Sequence, residues 1–476
     1  MTSETVRGAG LLRRFRACLP AVLLALAANT PGAVLPEEVA RLAGAELTPV
    51  GAERAGNADG TIPPWTGGLT GPIPGYEPGK HHVDPFAEDE VRFSITAQNL
   101  DQHSDKLTEG QKALLRAYPE TWRINVYPTR RSAAYPDFVY EAFKTNAQQA
   151  TLITDDRGGV ENSVITSPFP IPKQAVEILW NHNLRWRGIH ITGPNGMAPL
   201  TRRGNYTLSL MDEEITFPYA HPGNIDFKVR FPNILAAYKQ KLLSPGFQAG
   251  AGRLVIESLN HNELQRQSWL YSPTLRRIVR TPFAGYDNPE PNTDALRFND
   301  EVDMYNGSPA LFEWTLLGKR EIYIPYNAYQ LHSAELDYDD ILQPRHINPD
   351  HARYELHRVW VVEGRVKVAQ RNRNALRLEN RGHVYSRRVF YLDEDSWQIA
   401  AAENYDQQGE LWRYSEGHPI NYYQVPVQWY TLEIFHDLRQ RRYLAYGLNN
   451  KRRPVRFDDT INPLLFGPNA LDFYVR

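Results

Sequence analysis

Residues 353–368 read RYELHRVWVVEGRVKV. Successive side chains of a strand point to opposite faces. Sorted by parity, the even positions are Tyr354, Leu356, Arg358, Trp360, Val362, Gly364, Val366 and Val368. The odd positions are Arg353, Glu355, His357, Val359, Val361, Glu363, Arg365 and Lys367. The even face is apolar apart from one arginine near its middle. This predicts a strand with one face turned to a core or a cavity. It also requires an anion for Arg358, since an unpaired guanidinium on such a face costs several kcal/mol.

The sequence leaves that anion open. Glu394 and Glu403 lie in or beside the next strands and could form an ion pair with it. Alternatively the face lines a half-barrel. Arg358 then meets the polar end of a ligand, while Tyr354, Leu356, Trp360 and Val362 touch its apolar body. A few polar groups orienting a ligand in a mostly apolar pocket is the usual design of such sites. Trp397 and Trp412 are the next candidates for that lining, with core packing as the alternative for each. A contact with a partner protein is the third reading of Arg358.

Working outward, the same alternation recurs in HVYSRRVFYLDEDSWQIAAAENYDQQGELWRYSEG and WYTLEIFHDLRQRRYLAYGL. Asp393 to Ser396 and Asp406 to Gly409 read as hairpin turns. Short turns between consecutive strands make an antiparallel sheet. From about residue 203, NYTLSLMDEEITFPY, RLVIESL, QSWLYSP, TLRRIVRTP and FEWTLLGKREIYIPYNAY are further strand candidates. Three helices precede them. LTEGQKALLRAY carries a capping box, Thr108 with Gln111. YPDFVYEAFKTNAQQA places Pro136 in a first turn with Phe138, Ala142 and Ala147 inward. A third helix is expected from about Pro172 to Arg187. Residues 34–92 are rich in Gly and Pro and form neither helix nor central strand. Trp65, Leu69, Ile73, Tyr76 and Phe86 predict that this stretch packs on the body as an extended arm. No repeat of 20–50 residues is visible, which excludes a solenoid or propeller.

The chain has 476 residues, room for one large domain or two ordinary ones. A net charge of −2 without a basic run leaves no nucleic-acid footprint. The N-terminus has Arg13, Arg14 and Arg16 before an apolar run from Ala17 to Ala28, followed by small residues. This is the layout of a signal peptide, assigned to residues 1–33, and the run is too short for an ordinary spanning helix. Cys18, the only cysteine, opens the run and is badly placed for lipid attachment. The exported chain is expected to be free in the periplasm, without disulfides.

Catalytic constellations are missing from the sequence. There is no G-x-S-x-G elbow and no phosphate-binding glycine motif. His81-His82 reads as a solvated pair, and His182 and His190 carry no H-E-x-x-H pattern, so no metal site is expected. Asp393, Glu394 and Asp395, and likewise Asp337, Asp339 and Asp340, read as solvated turn carboxylates. Arg276, Arg277 and Arg280 could grip an anionic head group, but cross-strand pairing with acidic neighbours is the preferred reading.

RYELHRVWVVE, RVFYLDEDSWQIA and YDQQGELWR resemble a family of exported Gram-negative proteins of unknown function. LTPVGAERAGNADGTIPPWTGG, VYPTRRSAAYP, PFPIPKQAVEILWNHNLRWRG and GKREIYIPYNAY resemble the same family. That family is similar to the outer-membrane lipoprotein-sorting proteins, which are incomplete β-barrels with helices closing a hydrophobic cavity. The resemblance implies such a domain over residues 93–476. It also implies an outer-membrane protein and an inner-membrane permease of the resistance–nodulation–division type as partners. It supplies no catalytic motif.

The expectation is therefore an α+β protein with a large, strongly curved antiparallel sheet, an incomplete barrel partly closed by helices. Its expected role is that of a non-enzymatic carrier or chaperone for a lipid, sterol-like compound or lipoprotein acyl chain, with no cofactor. The alternative is an adaptor that binds a membrane protein and holds no ligand. A hydrolase with a non-standard site is a third class. The intact mass of the periplasmic protein is expected to place the mature start between residues 26 and 36. A lipid mass on Cys18, or retention of Met1, would contradict that.

Overall fold

A computed structural model describes residues 34–154, 158–223, 232–281, 285–367, 383–460 and 467–475. The expected signal segment 1–33, with Cys18, lies outside the described residues, as does Val368. The alternation in the opening stretch becomes strand β12 (Tyr354–Val366). Next come β13 (Arg387–Asp393), β14 (Ile399–Tyr405), β15 (Leu411–Tyr422), β16 (Val427–Asp437) and β17 (Arg442–Tyr446), each antiparallel to the one before. Both expected hairpin turns are present. The first is closed by Asp393 N–H to the Gln398 carbonyl, the second by Asp406 N–H to the Glu410 carbonyl.

From β17 the sheet continues into earlier parts of the chain. The order is β5 (His190–Leu200), β6 (Ser209–Thr216), β7 (Ala236–Ser244), β8 (Gly252–Glu257), β9 (Gln267–Ser272) and β10 (Arg277–Arg280). β18 (Arg456–Asp458) also pairs with β5. At the other end β12 pairs with β11 (Phe312–Pro325) and touches β2 (Ile124–Val126), which carries β1 (Phe93–Ile95). The Tyr354–Val126 contact is parallel and every other pairing antiparallel. The described residues thus form one curved sixteen-stranded sheet, not closed into a barrel. A separate ribbon pairs β3 (Thr151–Ile153) with β4 (Gly159–Glu161). The architecture is α+β, with few helices.

Those helices cover the sheet: α1 (Pro36–Val39), α2 (Glu109–Ala117), α3 (Asp137–Gln149), α4 (Ala175–Leu184), α5 (Tyr329–His332), α6 (Tyr338–Ile341) and α7 (Pro468–Val475). The α2 capping box forms as read: Thr108 Oγ1 accepts from Gln111 N–H and Gln111 Oε1 from Thr108 N–H, both at 3.1 Å. Glycine within a helix costs about 1 kcal/mol against alanine. Gly110 is needed there because a Cβ would sit 1.9 Å from the Tyr414 ring of β15. In α3, Pro136 is the N-cap rather than a first-turn residue. Val139, Ala142, Phe143 and Asn146 form the inward i, i+3, i+4, i+7 stripe, which leaves Phe138, expected inside, 39% exposed and edge-on to Trp186. α4 is shorter than 172–187 because Gln174 and Arg185 take extended backbone and end it. It is buried on nearly all sides, its polar residues Glu177, Asn181, His182 and Asn183 included. Its Asn181 bonds both amide groups to the Phe169 backbone at 2.7 Å.

Besides the three-residue strands, two longer ones were not legible. β5 contains Gly193, Pro194, Gly196 and Pro199, a composition that argues against a central strand. It is central because another backbone passes over it: a Cβ on Gly196 would lie 2.5 Å from the Leu448 carbonyl. β7, AAYKQKLLS, carries lysines that weaken a strand pattern. Lys239 is nevertheless buried, paired with Glu214 at 2.8 Å.

The arm packs deeper than an external wrap. Val50, Ala52 and Ile62 join the core, and Leu69, Ile73, Tyr76 and Phe86 pack against it. Trp65 lies under Arg54 at 5.0 Å. His82 is buried rather than solvated, because the arm carries it against α5. His81 Nδ1 and His82 Nδ1 lie 3.3 and 3.4 Å from His332 Nε2. Burial pushes the His82 imidazole down to about 4, so the ring is neutral.

Arg358 has a protein carboxylate. Its Nε donates to Glu394 Oε1 at 2.7 Å, and its Nη2 donates to the arm carbonyls of Ala55 at 2.6 Å and Glu53 at 3.2 Å. Glu403, the other candidate, accepts instead from Gly110 N–H and the Tyr405 hydroxyl. Arg358→Met leaves Glu394 buried with Lys319 at 2.7 Å and Arg131 at 3.5 Å. Urea unfolding of this variant is expected to show a loss of about 3–5 kcal/mol, toward the lower end because Lys319 remains.

Candidate ligand cavity

The seven residues expected to face a ligand are taken up by packing and ion pairs, with Val362 in the core. Tyr354 is buried and its hydroxyl donates to Glu416 at 2.8 Å. Leu356 is in the core. Arg358 is held as described. Trp360 stacks on buried Trp397, ring centres 6.3 Å apart, and Trp397 Nε1 donates to the Val50 carbonyl at 3.1 Å. Arg358, Trp360 and Trp397 therefore meet beneath the arm. Trp412 lies elsewhere, half-buried, donating to Asp437 at 3.1 Å with Arg413 against its ring. None of the seven lines the cavity described next.

That cavity, of about 140 Å³, sits on β5–β8 and β16–β17, on the face opposite α7. Its floor is made of cross-strand rows. Ile215, Tyr238 and Val255 form one, and Glu213, Gln240 and Arg253 the next. Trp180 of α4, Phe217, Trp429 and Tyr430 of β16, and the 299–307 segment form the walls.

The wall charges are satisfied within the protein. Glu213 accepts from the Tyr238 and Tyr446 hydroxyls, from Gln240 at 2.8 Å and from Asn195 at 2.7 Å. Glu257 pairs with Arg266 at 2.6 Å. Arg253 donates to Asn299 at 2.8 Å. Burial works against the Asp303 carboxylate, yet Arg185 and Arg187 hold it well below the usual range. Glu433 is different. Burial pushes its carboxyl up to about 8, and Arg297, 4.0 Å away, is already engaged by Glu290 at 2.5 Å. Five further buried atoms on lining residues have no protein partner: Trp180 Nε1, Asn183 Oδ1, Arg187 Nε, Asn306 Oδ1 and Asn449 Oδ1. Native interiors satisfy nearly all such atoms, which sets this region apart from the rest of the core.

A family model described as a protein of unknown function, DUF1329, matches residues 94–472. The chain belongs to the DUF1329 family. The uncharacterized protein PA3922 of Pseudomonas aeruginosa is 42% identical over 429 residues, covering 90% of this chain and 91% of its own. Among solved structures, a DUF1329 protein from Desulfovibrio piger is similar with a TM-score of 0.39 at 14% identity, over 60% of this chain and 92% of that one. A domain described as outer-membrane lipoprotein-sorting, from Vibrio parahaemolyticus, gives 0.39 at 12% identity over the same shares. A LolA superfamily protein from Nitrosomonas europaea gives 0.36 at 11%, over 63% and 100%.

The acidic turn of this DUF1329 protein is not solvated. Asp393, Glu394 and Asp395 are all buried, because the arm and Arg131 cover them. Burial, with Asp395 beside it, pushes Asp393 up to about 6. Asp337, Asp339 and Asp340 are exposed, as expected. Cross-strand pairing does not hold for Arg276, Arg277 and Arg280. Among the described residues none of them reaches a carboxylate, because β10 is an edge strand facing Ser272 to Trp269 on its one neighbour. Charges on such an edge discourage further pairing.

Sequence reading missed the cavity residues of the DUF1329 protein for two reasons. β7 was not recognised, so Tyr238 had no place. In β6, parity did put Glu213 beside Ile215, but a glutamate on a mixed face reads as solvent-facing.

Glu433 generates a pH prediction. Its proton is held up to about pH 8 in the fold but only to its ordinary 4.5 when unfolded. Its stabilising contribution is full below 4.5 and is lost as pH rises through 8. Denaturant titrations are expected to show wild type losing up to about 1.4 kcal/mol per pH unit relative to Glu433→Gln across that window. The gap levels off above it. Parallel profiles would mean an ionised Glu433.

Proposed function

We propose that this protein is a periplasmic, non-enzymatic carrier for a lipid, a sterol-like compound or a lipoprotein acyl chain, and that the cavity is its cargo site. The observation that carries this reading is the wall: aromatic and aliphatic surface from Trp180, Ile215, Phe217, Val255 and Tyr430, with a few polar side chains such as Asn183 and Asn306 among it. Ligand sites combine apolar area with a small number of orienting polar groups. The volume is close to that of a cavity that takes one benzene ring, about 150 Å³. It suits one ring or one short chain segment, with the remainder of a longer cargo outside.

A second reading, the adaptor, has one observation in its favour. The row Glu213–Gln240–Arg253 continues across β9 and β10 to Leu270 and Val279, which are 37% and 44% exposed. An apolar rim beside a cavity suits contact with a membrane protein. An outer-membrane protein and a resistance–nodulation–division permease are the partners this reading assigns.

Native mass spectrometry of protein purified from its own periplasm separates the two. The carrier reading expects a bound small molecule that is lost in Val255→Trp, which fills the cavity. That variant should keep its fold, because overpacking a tight core costs about 1–3 kcal/mol and this site has room. No bound molecule in wild type, and equal binding of an apolar fluorescent probe by both proteins, would favour the adaptor.

A further inference from the structure

Around the buried β13–β14 turn one carboxylate lacks a cation of its own. Asp395 receives two N–H groups of Arg131, at 2.8 and 2.7 Å. Glu394 has Arg358 and Lys319, each at 2.7 Å. Glu355 has Arg353 at 2.6 Å. Asp393, 1% exposed, has no arginine or lysine within ion-pair distance among the described residues. Its Oδ2 accepts from Ser396 N–H at 3.0 Å, Ser396 Oγ at 2.6 Å and the Tyr326 hydroxyl at 3.2 Å. Its Oδ1 has no hydrogen-bond partner and lies 3.9 Å from His357 Nδ1.

His357 is oriented to be a ligand. Its Nε2 lies 3.2 Å from Glu355 Oε2. An ionised carboxylate can only accept, so that nitrogen carries the proton and Nδ1 turns its lone pair toward Asp393. Tyr326 stacks on the imidazole with centres 4.0 Å apart and fixes its plane. A histidine whose far N–H is held by a carboxylate is the recurring support of metal-bound imidazole.

We propose that His357, Asp393 and Asp395 form a buried site for one divalent transition-metal ion. One donor atom from each lies within 4.8 Å of the others. Two metal–ligand bonds of about 2.0–2.2 Å reach about 3.4 Å between tetrahedral ligands, so small side-chain rotations draw the three donors in around the ion. One nitrogen and two oxygens suit Zn²⁺ or Mn²⁺, whereas Ca²⁺ takes about six to eight oxygens. Asp395 need not release Arg131, since a carboxylate has about four acceptor positions. The ion is structural. It ties the 393–397 turn to β12 beneath arm residues 50–55, and it enters as the chain folds. This site is separate from the cargo cavity and does not depend on the carrier reading.

The test uses the untagged mature chain, unfolded in chelator and refolded with Zn²⁺, with Mn²⁺ or with neither. Elemental analysis is expected to find one ion per chain, and the loaded protein is expected to melt higher than the metal-free one. Asp393→Asn and His357→Gln are expected to lose the ion and the added stability together. A wild-type chain that refolds metal-free in both ions, with unchanged melting, overturns the proposal. Asp393 is then neutralised by a proton, and Asp393→Asn melts at or above wild type. If neither variant folds, the metal content and melting of refolded wild type decide alone.

Discussion

Two buried arginines, Arg131 and Arg358, join the arm, the β13–β14 turn and β12 into one unit. The arm is too rich in glycine and proline to enter a sheet ladder, yet Val50, Ala52 and Ile62 are buried in the core. Its carbonyls therefore go into the interior without strand partners, and buried carbonyls need donors. A guanidinium carries five N–H donors. Arg131 gives two to Asp395 and others to the carbonyls of Glu53, Arg54 and Pro63. Arg358 divides its donors between Glu394 and the carbonyls of Glu53 and Ala55. Each arginine neutralises a buried carboxylate and satisfies arm backbone at once. Removing either leaves a charge and several carbonyls exposed to a low-dielectric interior.

The same economy shapes the rest of the molecule. Helices and arm cover much of the sheet, so many polar residues on the strands are buried. Glu213 among two tyrosines, Lys239 with Glu214, and Arg388 with Asp300 are all inside. The cavity continues this pattern. Its charged groups are paired internally and Glu433 is neutral near pH 7. A bare anion would find no free cation among the described wall residues. A cargo with hydroxyl, amide or ester groups would meet polar side chains such as Asn183 and Asn306 on that wall.

The features legible in the sequence were local. The period-two alternation from 353 onward, the turn residues at 393–396 and 406–409, and the capping box at Thr108 and Gln111 all rest on interactions within a few residues. So did the need for an anion at Arg358. The candidate site was not legible in the same way. Tyr354, Leu356 and Trp397 had the composition of a lining and became core, because parity says which residues share a face and not what covers that face.

The sequence by itself determined an antiparallel meander, a class of fold, an arm that packs, and a buried guanidinium that needs an anion. Backbone geometry and the cost of an unpaired charge enforce these wherever the chain lies. Tertiary structure alone decided that the Gly- and Pro-rich stretch 190–200 is a central strand, because the segment at Leu448 crosses over it. It also decided that three turn carboxylates are buried, because the arm and Arg131 close over them. The cavity, too, was decided there. Its floor joins residues of β6, β7 and β8 to side chains from α4 and β16, up to about 250 positions apart, and no local rule of propensity or periodicity reaches that far.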